Sequence, residues 1–403
     1  MVPRLQWLAY AGLIAVLASL YLTMYSWGVS VGYDFGCFRA AALLLANGGD
    51  PYNAAQLWHE ENALYNLPGH LRAATAGYYS PNLYYNPLLF ATLLTPLARL
   101  PFMQGYALYI ALLVACAVAG AWLTLRALGW TRLRVPAVVI AILLPTTFLN
   151  VWWGQQSTVF LAALGAALLA LRRDRVALAG ALLAVGWIKL HLLVPVVLVA
   201  PLLFARRDAL RWLLGFSGAT AVGVMASVAV NGPGSIGAWI GDLVGYSGYV
   251  DTVHRWLPSL SGMVLVLAPH PWNRPVSLVI MLLGLGIMAG AAVHARRHGL
   301  SPVIGLSALV AIWLFVSPYV ATNDWVLALP ALAVLWTPNG QPPACRIPAL
   351  TLWVISALTL AFVLPHPFIL LGLLPPFLLC TVMVWTLLGT GLNGRQTPEG
   401  STA

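Results

Sequence analysis

Acidic side chains are scarce in this chain, and one of them stands where it could act as a base. Only 10 of the 403 residues are Asp or Glu. Asp34 follows the apolar run 5–27 and lies in the stretch YDFGCFRAAALLLANGGDPY, residues 33–52. A carboxylate at the mouth of a cavity can take a proton from a reacting hydroxyl. Asp34 could also cap the short helix that apolar spacing predicts after it, a structural role that is compatible with the first because a cap fixes the direction of the carboxylate.

The chain's single lysine is the second candidate for chemistry. Lys189 lies in GWIKLHLLVPV, between two apolar segments, and His191 follows two residues later. An ammonium group there is well suited to bind a phosphate. The alternative is a side chain that merely extends to the membrane interface. Every other basic residue except histidine is arginine, and this difference favours a specific role for Lys189.

Several other polar side chains are expected near the same end of the apolar segments. The break WWGQQS places Gln155 and Gln156 near membrane depth, where amides are costly unless they are paired. Hydrogen bonding between helices is the alternative explanation for these two residues. The candidate substrate-binding residues are Lys189, His191, Arg39, Gln155, Tyr85, Asn86, His254 and Arg255.

Two other acidic stretches have simpler interpretations. Asp50 lies in NGGDPY, a pattern typical of a turn that ends one helix and begins another element. His59, Glu60 and Glu61 are adjacent, without the i, i+3 or i, i+4 spacing of a metal-binding helix face. We therefore expect a solvated face there and predict no metal site.

The composition excludes a soluble globular protein. The chain is 61% hydrophobic and 7% charged, whereas soluble domains carry about 25% charged residues. We predict an all-α polytopic membrane protein, with one integral domain over residues 1–403 in a lipid bilayer. The net charge of +10 does not indicate a nucleic acid partner, because the basic residues form short runs between apolar segments.

Apolar runs divide the chain into about 12 predicted transmembrane helices. A helix needs about 20 apolar residues to cross a bilayer, or fewer when it packs inside protein. The segments are 5–27, 103–125, 135–151, 156–171, 176–189, 191–205, 211–231, 276–294, 301–318, 325–337, 347–364 and 367–389. Segment 83–98 is expected to lie along the outer face or dip into it. The alternative is that 83–98 crosses and two shorter downstream segments form one hairpin.

Alternating these segments from a cytoplasmic N-terminus places the arginine runs on one side. On that assignment 14 of the 20 Lys and Arg residues are cytoplasmic, which is the side they favour, and both termini are cytoplasmic. Two outer loops, 28–102 and 232–275, mix aromatic residues, Gly, Pro and isolated charges, as short interfacial helices do. The low lysine content is typical of a GC-rich bacterial genome, so we expect a bacterial inner (plasma) membrane protein with its site facing the periplasm.

Four motifs between residues 33 and 208 resemble a known family. They are YDFGCFRAAALLLANGGDPY, YYNPLLFATLLTPLARLP, WWGQQS and ALAGALLAVGWIKLHLLVPVVLVAPLLFARRD. The chain resembles the membrane mannosyltransferases of glycosyltransferase family eighty-seven, the polyprenol-phosphate-mannose-dependent α-mannosyltransferases of the GT-C superfamily. Leu190 stands where the family's proline follows the lysine, and Asn86 replaces another proline of the pattern.

The resemblance implies a GT-C-like fold and an acidic base in the first outer loop, at the position of Asp34. It implies a polyprenyl-phosphate sugar as donor, with mannose as the sugar, and a glycolipid or glycan as acceptor. No cofactor is expected. In this hypothesis Lys189 binds the leaving phosphate, and His254 or Arg255 assists.

Two alternatives from other classes remain. A transporter or flippase of lipid-linked or polar solutes would also contain polar residues near the membrane. Its charges would be expected along a path at mid-span, often within repeats, and this sequence shows neither pattern. A polymerase or ligase of lipid-linked glycans would be expected to use arginines in a large outer loop.

Overall fold

The computed structural model describes residues 32–64, 83–130, 138, 144–245, 259–269 and 271–335, and all regular elements there are helical. The α-helices are α1 Tyr33–Ala46, α2 Ala54–Leu64, α3 Leu88–Ala98, α4 Phe102–Ala127, α5 Pro145–Trp153, α6 Ser157–Arg172, α7 Val176–Leu182, α8 Leu190–Val199, α9 Arg206–Asn231, α10 Gly234–Gly245, α11 Leu260–Leu267, α12 Asn273–Arg297, α13 Pro302–Val316 and α14 Leu329–Leu335. The 3₁₀ segments are Leu183–Lys189, Ala200–Leu203 and Thr322–Ala328.

By length and composition alone, four helical stretches in the described ranges are apolar enough to cross a membrane. They are Phe102–Ala127, Val176–Leu203, Arg206–Asn231 and Asn273–Arg297. Shorter apolar helices cover Leu88–Ala98, Ser157–Arg172, Pro302–Val316 and Asn323–Leu335. The all-α membrane architecture is thereby confirmed, and the count of 12 helices stays a prediction. The predicted segments 5–27, 347–364 and 367–389, and both chain ends, lie outside the described residues.

Three short helices, α1, α2 and α3, lie in the described parts of the predicted first outer loop. Helix α1 ends at Ala46, and Gly48 adopts a left-handed φ of 78°, so the turn predicted at NGGDPY is present. Asp50 accepts a hydrogen bond from the Tyr52 backbone, 3.0 Å from nitrogen to Oδ1. Helix α3 has 11 residues and is therefore about 16 Å long. This length is too short to cross a hydrocarbon core of about 30 Å.

The helical stretch Val176–Leu203 folds back on itself at Lys189. Lys189 leaves the helical conformation, with φ −139° and ψ 76°. A Cβ placed on Gly186 would lie 2.8 Å from the Cβ of Leu193, although seven residues of straight helix span about 10 Å. Trp212 contacts the parts of this stretch on both sides of Lys189. Its carbonyl faces Gly180, and its Nε1 donates a hydrogen bond to the Val197 carbonyl at 3.1 Å. The two predicted segments, 176–189 and 191–205, are thus the arms of a hairpin with Lys189 at its tip.

Arginines from four runs lie at the end of the bundle away from that tip. The guanidinium of Arg172 lies 3.2 and 2.8 Å from the carbonyls of Arg126 and Ala127. Arg296 donates to the Phe204 carbonyl at 3.1 Å, two residues before α9 begins. These contacts bring together arginine runs that the charge pattern assigns to one side of the membrane.

Small residues allow the helices to approach closely. At Gly120 of α4, an added Cβ would lie 2.7 Å from the backbone of Leu161 in α6. At Gly180 of α7 and Gly215 of α9, it would collide with the carbonyl oxygens of Trp212 and Ala177. Helix association in membranes depends on such close packing, since lipid is as apolar as the side chains.

We predict that Gly215→Ala destabilises the protein by about 1–3 kcal/mol, because the added methyl group must push α7 away from α9. Gly218→Ala is the matched control on the same helix, where an added Cβ has no neighbour within 4 Å. The control should be neutral or stabilising by up to about 1 kcal/mol, since Ala favours helix more than Gly. Thermal unfolding in detergent measures both variants. Equal effects would contradict the close contact of α7 and α9.

Candidate functional site

Three interruptions of the helices meet at the tip of the hairpin. The first is the α5–α6 corner at residues 154–156, the second is the break at Lys189, and the third is the segment 317–324 after α13. The ammonium nitrogen of Lys189 lies 2.7 Å from Oδ1 of Asp324 and 3.2 Å from Oε1 of Gln155. One side chain therefore joins all three interruptions.

Asp324 is fully buried, and its carboxylate is surrounded by donors. Besides Lys189, Oδ1 accepts hydrogen bonds from Ser157 Oγ at 2.5 Å and Asn323 Nδ2 at 3.2 Å. Its Oδ2 accepts the backbone N–H of Ala321 at 2.9 Å. A buried carboxylate needs this compensation, because removing a charge from water costs several kcal/mol unless it is paired and hydrogen-bonded.

Lys189 is the partly exposed member of the ion pair. Its side chain retains 16% exposure, while that of Asp324 retains none. The ion pair gives Lys189 a specific protein partner, which a side chain that merely extends to a lipid interface does not need. The amide oxygen of Gln155 accepts a hydrogen bond from the Lys189 ammonium, so the predicted pairing of this amide near membrane depth is present.

Asp34 lies in the first turn of α1, and the N-cap is Gly32 with φ 71°. The alternative interpretation of Asp34 as the N-cap residue is therefore wrong. A carboxylate in the first turn is still favoured by the helix dipole. Asp34 is half-buried and within electrostatic reach of Cys37 and of Tyr109 on α4.

The start of α1 packs directly on the α5–α6 corner. The Gly32 N–H donates to the Trp152 carbonyl at 2.7 Å. A Cβ on Gly154 would lie 2.7 Å from the Cβ of Phe35 and 3.2 Å from its backbone nitrogen. Gly154 also has φ 77°, so two independent constraints require glycine there. Phe35 follows Asp34 and Gln155 follows Gly154, so this corner connects the candidate base to the candidate phosphate-binding lysine.

His191 lies half-buried beside the ion pair. Its ring hydrogen-bonds to the backbone of Tyr319 and lies 6.1 Å from the Tyr319 ring, centroid to centroid. Its Nε2 has no hydrogen-bond partner in the described part of the chain. Its carbonyl accepts from Trp313 Nε1 at 2.5 Å, which ties α8 to α13.

The backbone carbonyls of Tyr85 and Asn86 bind residues that pack near the hairpin or in the first loop. The carbonyl of Tyr85 accepts from Trp239 Nε1 at 2.9 Å, and the Trp239 ring lies 6.1 Å from that of Trp187, two residues before Lys189. The carbonyl of Asn86 accepts from the Tyr52 hydroxyl at 2.9 Å. Both residues thus contribute backbone contacts that hold α10 and the first loop near the site.

The remaining predicted residues fall into two groups. Arg39 donates from Nη2 to the Leu100 carbonyl at 3.0 Å, and burial lowers its pKa, an effect that the charge of Glu60 partly offsets. His254 and Arg255 lie outside the described residues. Within the described ranges, no group of three or more His, Cys, Asp or Glu side chains could hold a metal ion.

One acid of the predicted solvated face is buried instead. Glu61 is only 4% exposed and hydrogen-bonds to the thiol of Cys37. Its neighbour His59 is exposed and Glu60 is half-buried. The prediction of a solvated face is therefore wrong for Glu61, because α2 turns this position toward α1.

Two carboxylates, Asp242 and Asp50, lie where α10 meets the first loop. The pKa of Asp242 is raised to about 6, first by partial burial and then by the negative charge of Asp50. The charges of Asp242 and Asp50 both act on Tyr52, which in turn binds the Asn86 carbonyl.

The partner of Lys189 is the residue that the sequence analysis missed. In the sequence, Asp324 ends a short polar break, ATND, between the predicted segments 301–318 and 325–337. The sequence feature that points to such a partner is the lone lysine itself, since a partly buried ammonium requires a carboxylate. The predicted topology puts seven acids on the outer side, and only tertiary contacts distinguish Asp324 from the other six, which are Asp34, Asp50, Glu60, Glu61, Asp242 and Asp251.

We predict strong coupling between Lys189 and Asp324. Either Lys189→Met or Asp324→Asn should destabilise the protein by about 3–5 kcal/mol, because each leaves a buried charge without its partner. The double variant should lose less than the sum, by about 1–3 kcal/mol. Denaturation of the four proteins in one detergent measures this difference. Additive losses would show that the pair does not exist.

We predict that Asp242→Asn stabilises the protein at high pH only. The Asp242 pKa is about 6 in the folded protein against 3.8 for the free side chain, so the stability conferred by its protonated form is lost as pH rises from about 4 to about 6. Asparagine stays neutral throughout. The gain at pH 8 should be on the order of 1 kcal/mol, given solvent screening. Melting curves at pH 4 and pH 8 test this, and an equal gain at both would contradict it.

Comparison with known proteins identifies the family. A family model described as Glycosyltransferase family 87 matches residues 84–318, which is more than half of the chain. Comparison with curated proteins and with solved structures gave no match. The matched range contains Gln155, Lys189 and His191, whereas Asp34 and Asp324 lie on either side of it. The chain belongs to glycosyltransferase family 87, and its long apolar helices make it a membrane protein of that family.

Proposed function

We propose that this protein transfers a sugar, with mannose favoured by the resemblance, from a polyprenyl-phosphate donor to a glycolipid or glycan acceptor. The transfer inverts the configuration at the anomeric carbon and takes place on the outer face of a bacterial plasma membrane. The observation that carries this proposal is the shared corner at Gly154 and Gln155, which touches the start of α1 on one side and Lys189 on the other.

Asp34 acts as the general base. It takes the proton of an acceptor hydroxyl while that oxygen forms a bond to the anomeric carbon. The bond between this carbon and the phosphate oxygen breaks, and the electron pair leaves with the polyprenyl phosphate. Because Asp34 lies in the first turn of α1, the helix dipole favours its ionised form, which is the form that accepts a proton.

Lys189 stabilises the departing phosphate. An ammonium group has three N–H donors, and two of them point at Asp324 and Gln155. The third can meet a phosphate oxygen whose negative charge grows as the bond breaks. Asp324 and Gln155 fix the ammonium in advance, so little reorganisation is needed in the transition state. Preorganised donors of this kind contribute several kcal/mol.

Asp34→Asn is expected to lower the rate of sugar transfer at least about 100-fold, within the range attributed to a general base. The assay supplies radiolabelled polyprenyl-phosphate mannose and a bacterial lipid extract to purified protein, and follows label in new products. Other polyprenyl-phosphate sugars in parallel reactions test the donor.

Asp208→Asn is the matched control for this variant. Asp208 also lies in the first turn of a helix, α9, but is exposed and pairs with Arg211 at 3.1 Å at the arginine end of the bundle. Transfer should be unchanged in this control. Full transfer by folded Asp34→Asn would refute Asp34 as the base, and no transfer by wild type from any polyprenyl donor would refute the donor class.

A further inference from the structure

Helices α1 and α2 bring a second carboxylate to the candidate base. Asp34 and Cys37 are three residues apart on α1, so their side chains share one face of the helix. Cys37 is completely buried beneath α2. Glu61, from α2, is 4% exposed and hydrogen-bonds to the Cys37 thiol. The thiol thus lies between two carboxyl groups that come from different helices.

The thiol remains neutral in this arrangement. Burial is the main cause that raises the pKa of Cys37 well above its usual value, and the charges of Glu61 and Asp34 raise it further. An uncharged S–H can donate to one carboxylate, but it adds no charge between the two. The region between the two carboxyl groups is poorly solvated, and like charges repel more strongly in such a region than in water.

We propose that Glu61 is a positioning residue of the transfer reaction, a second carboxylate that acts on Asp34 across the thiol of Cys37. This inference rests on the proposed role of Asp34 as the base. The helix dipole at the start of α1 stabilises ionised Asp34 and weakens it as a proton acceptor. A nearby negative charge has the opposite effect and favours proton uptake. Glu61 restores the basicity that the position of Asp34 in α1 would otherwise remove.

The charge of Asp34 acts on two groups that are neutral, Cys37 of α1 and Tyr109 of α4. Tyr109 of α4 is the further neighbour, and a phenol stays neutral while a carboxylate titrates. Helices α3 and α5, which also pack on α1, carry no titratable side chain. Glu61 differs from these neutral neighbours, because it brings a carboxylate to the same thiol that Asp34 acts on.

The test is the pH dependence of kcat/KM with polyprenyl-phosphate mannose as the donor. Glu61→Gln should move the acid limb of this profile to lower pH by about 0.5–1.5 units, as expected for loss of one nearby like charge. At neutral pH kcat should fall about 2–5-fold, because a weaker base removes the proton less effectively. A purely structural role for Glu61 would change stability or KM without moving the limb.

Two further variants make the result decisive. Glu61→Asp withdraws the carboxylate from Cys37 and should give a smaller shift in the same direction, and it serves as the test if Glu61→Gln does not fold. Glu60→Gln, one residue away, should leave the acid limb where it is in the wild type. An unmoved limb in the folded Glu61 variants overturns the proposal, and so does an equal shift in Glu60→Gln.

Failure of this inference can be separated from failure of the proposed function. If Asp34→Asn abolishes transfer but the Glu61 variants keep the wild-type profile, the base stands and Glu61 has no part in tuning it. If folded Asp34→Asn retains full transfer, Asp34 is not the base and both proposals fall.

Discussion

The ion pair of Lys189 and Asp324 is the contact on which the arrangement of this site depends. A lysine in the middle of an apolar stretch cannot remain charged there without compensation. The compensation comes from a fully buried carboxylate 135 residues further along the chain. Because Asp324 also receives donors from Ser157 and the Ala321 backbone, one electrostatic requirement fixes the relative positions of α6, the hairpin and the segment after α13.

The same end of the bundle contains the interruptions of helical geometry, and this has a physical reason. Continuous helices satisfy their own backbone and have little left to offer a ligand. The corner at Gly154, the non-helical Lys189 and the segment at 317–324 instead present side chains and helix ends. At the opposite end, Arg172 and Arg296 close the bundle against backbone carbonyls. The fold therefore separates an end rich in polar contacts from an end rich in positive charge.

The sequence predicted the parts of this structure that depend on local rules. Apolar runs located the long helices, and NGGDPY located the turn after α1, since both signals are contained in a few neighbouring residues. The single lysine and the amide of Gln155 were identified by their types alone. Their mutual contact of 3.2 Å could be anticipated only in general terms, because the hairpin that creates it depends on packing between distant segments.

The errors have the same origin. Glu61 was assigned to a solvated face because its neighbours are polar, yet the packing of α2 on α1 buries it beside Cys37. Asp324 could not be chosen among the outer acids, because a carboxylate's partner is set by tertiary structure. Asp34 was assigned two compatible roles, and only the backbone of Gly32 shows that the capping position lies two residues earlier.

The limits of the family match suggest how the site is divided between segments. The matched range, 84–318, contains the corner and the lysine, whereas the two carboxylates, Asp34 and Asp324, fall outside it. Both outlying segments are nevertheless held by residues of the matched range, Phe35 against Gly154 and Asp324 against Ser157. The lysine proposed to bind phosphate and the acids around it can thus belong to different segments, provided that the contacts between these segments are as close as these.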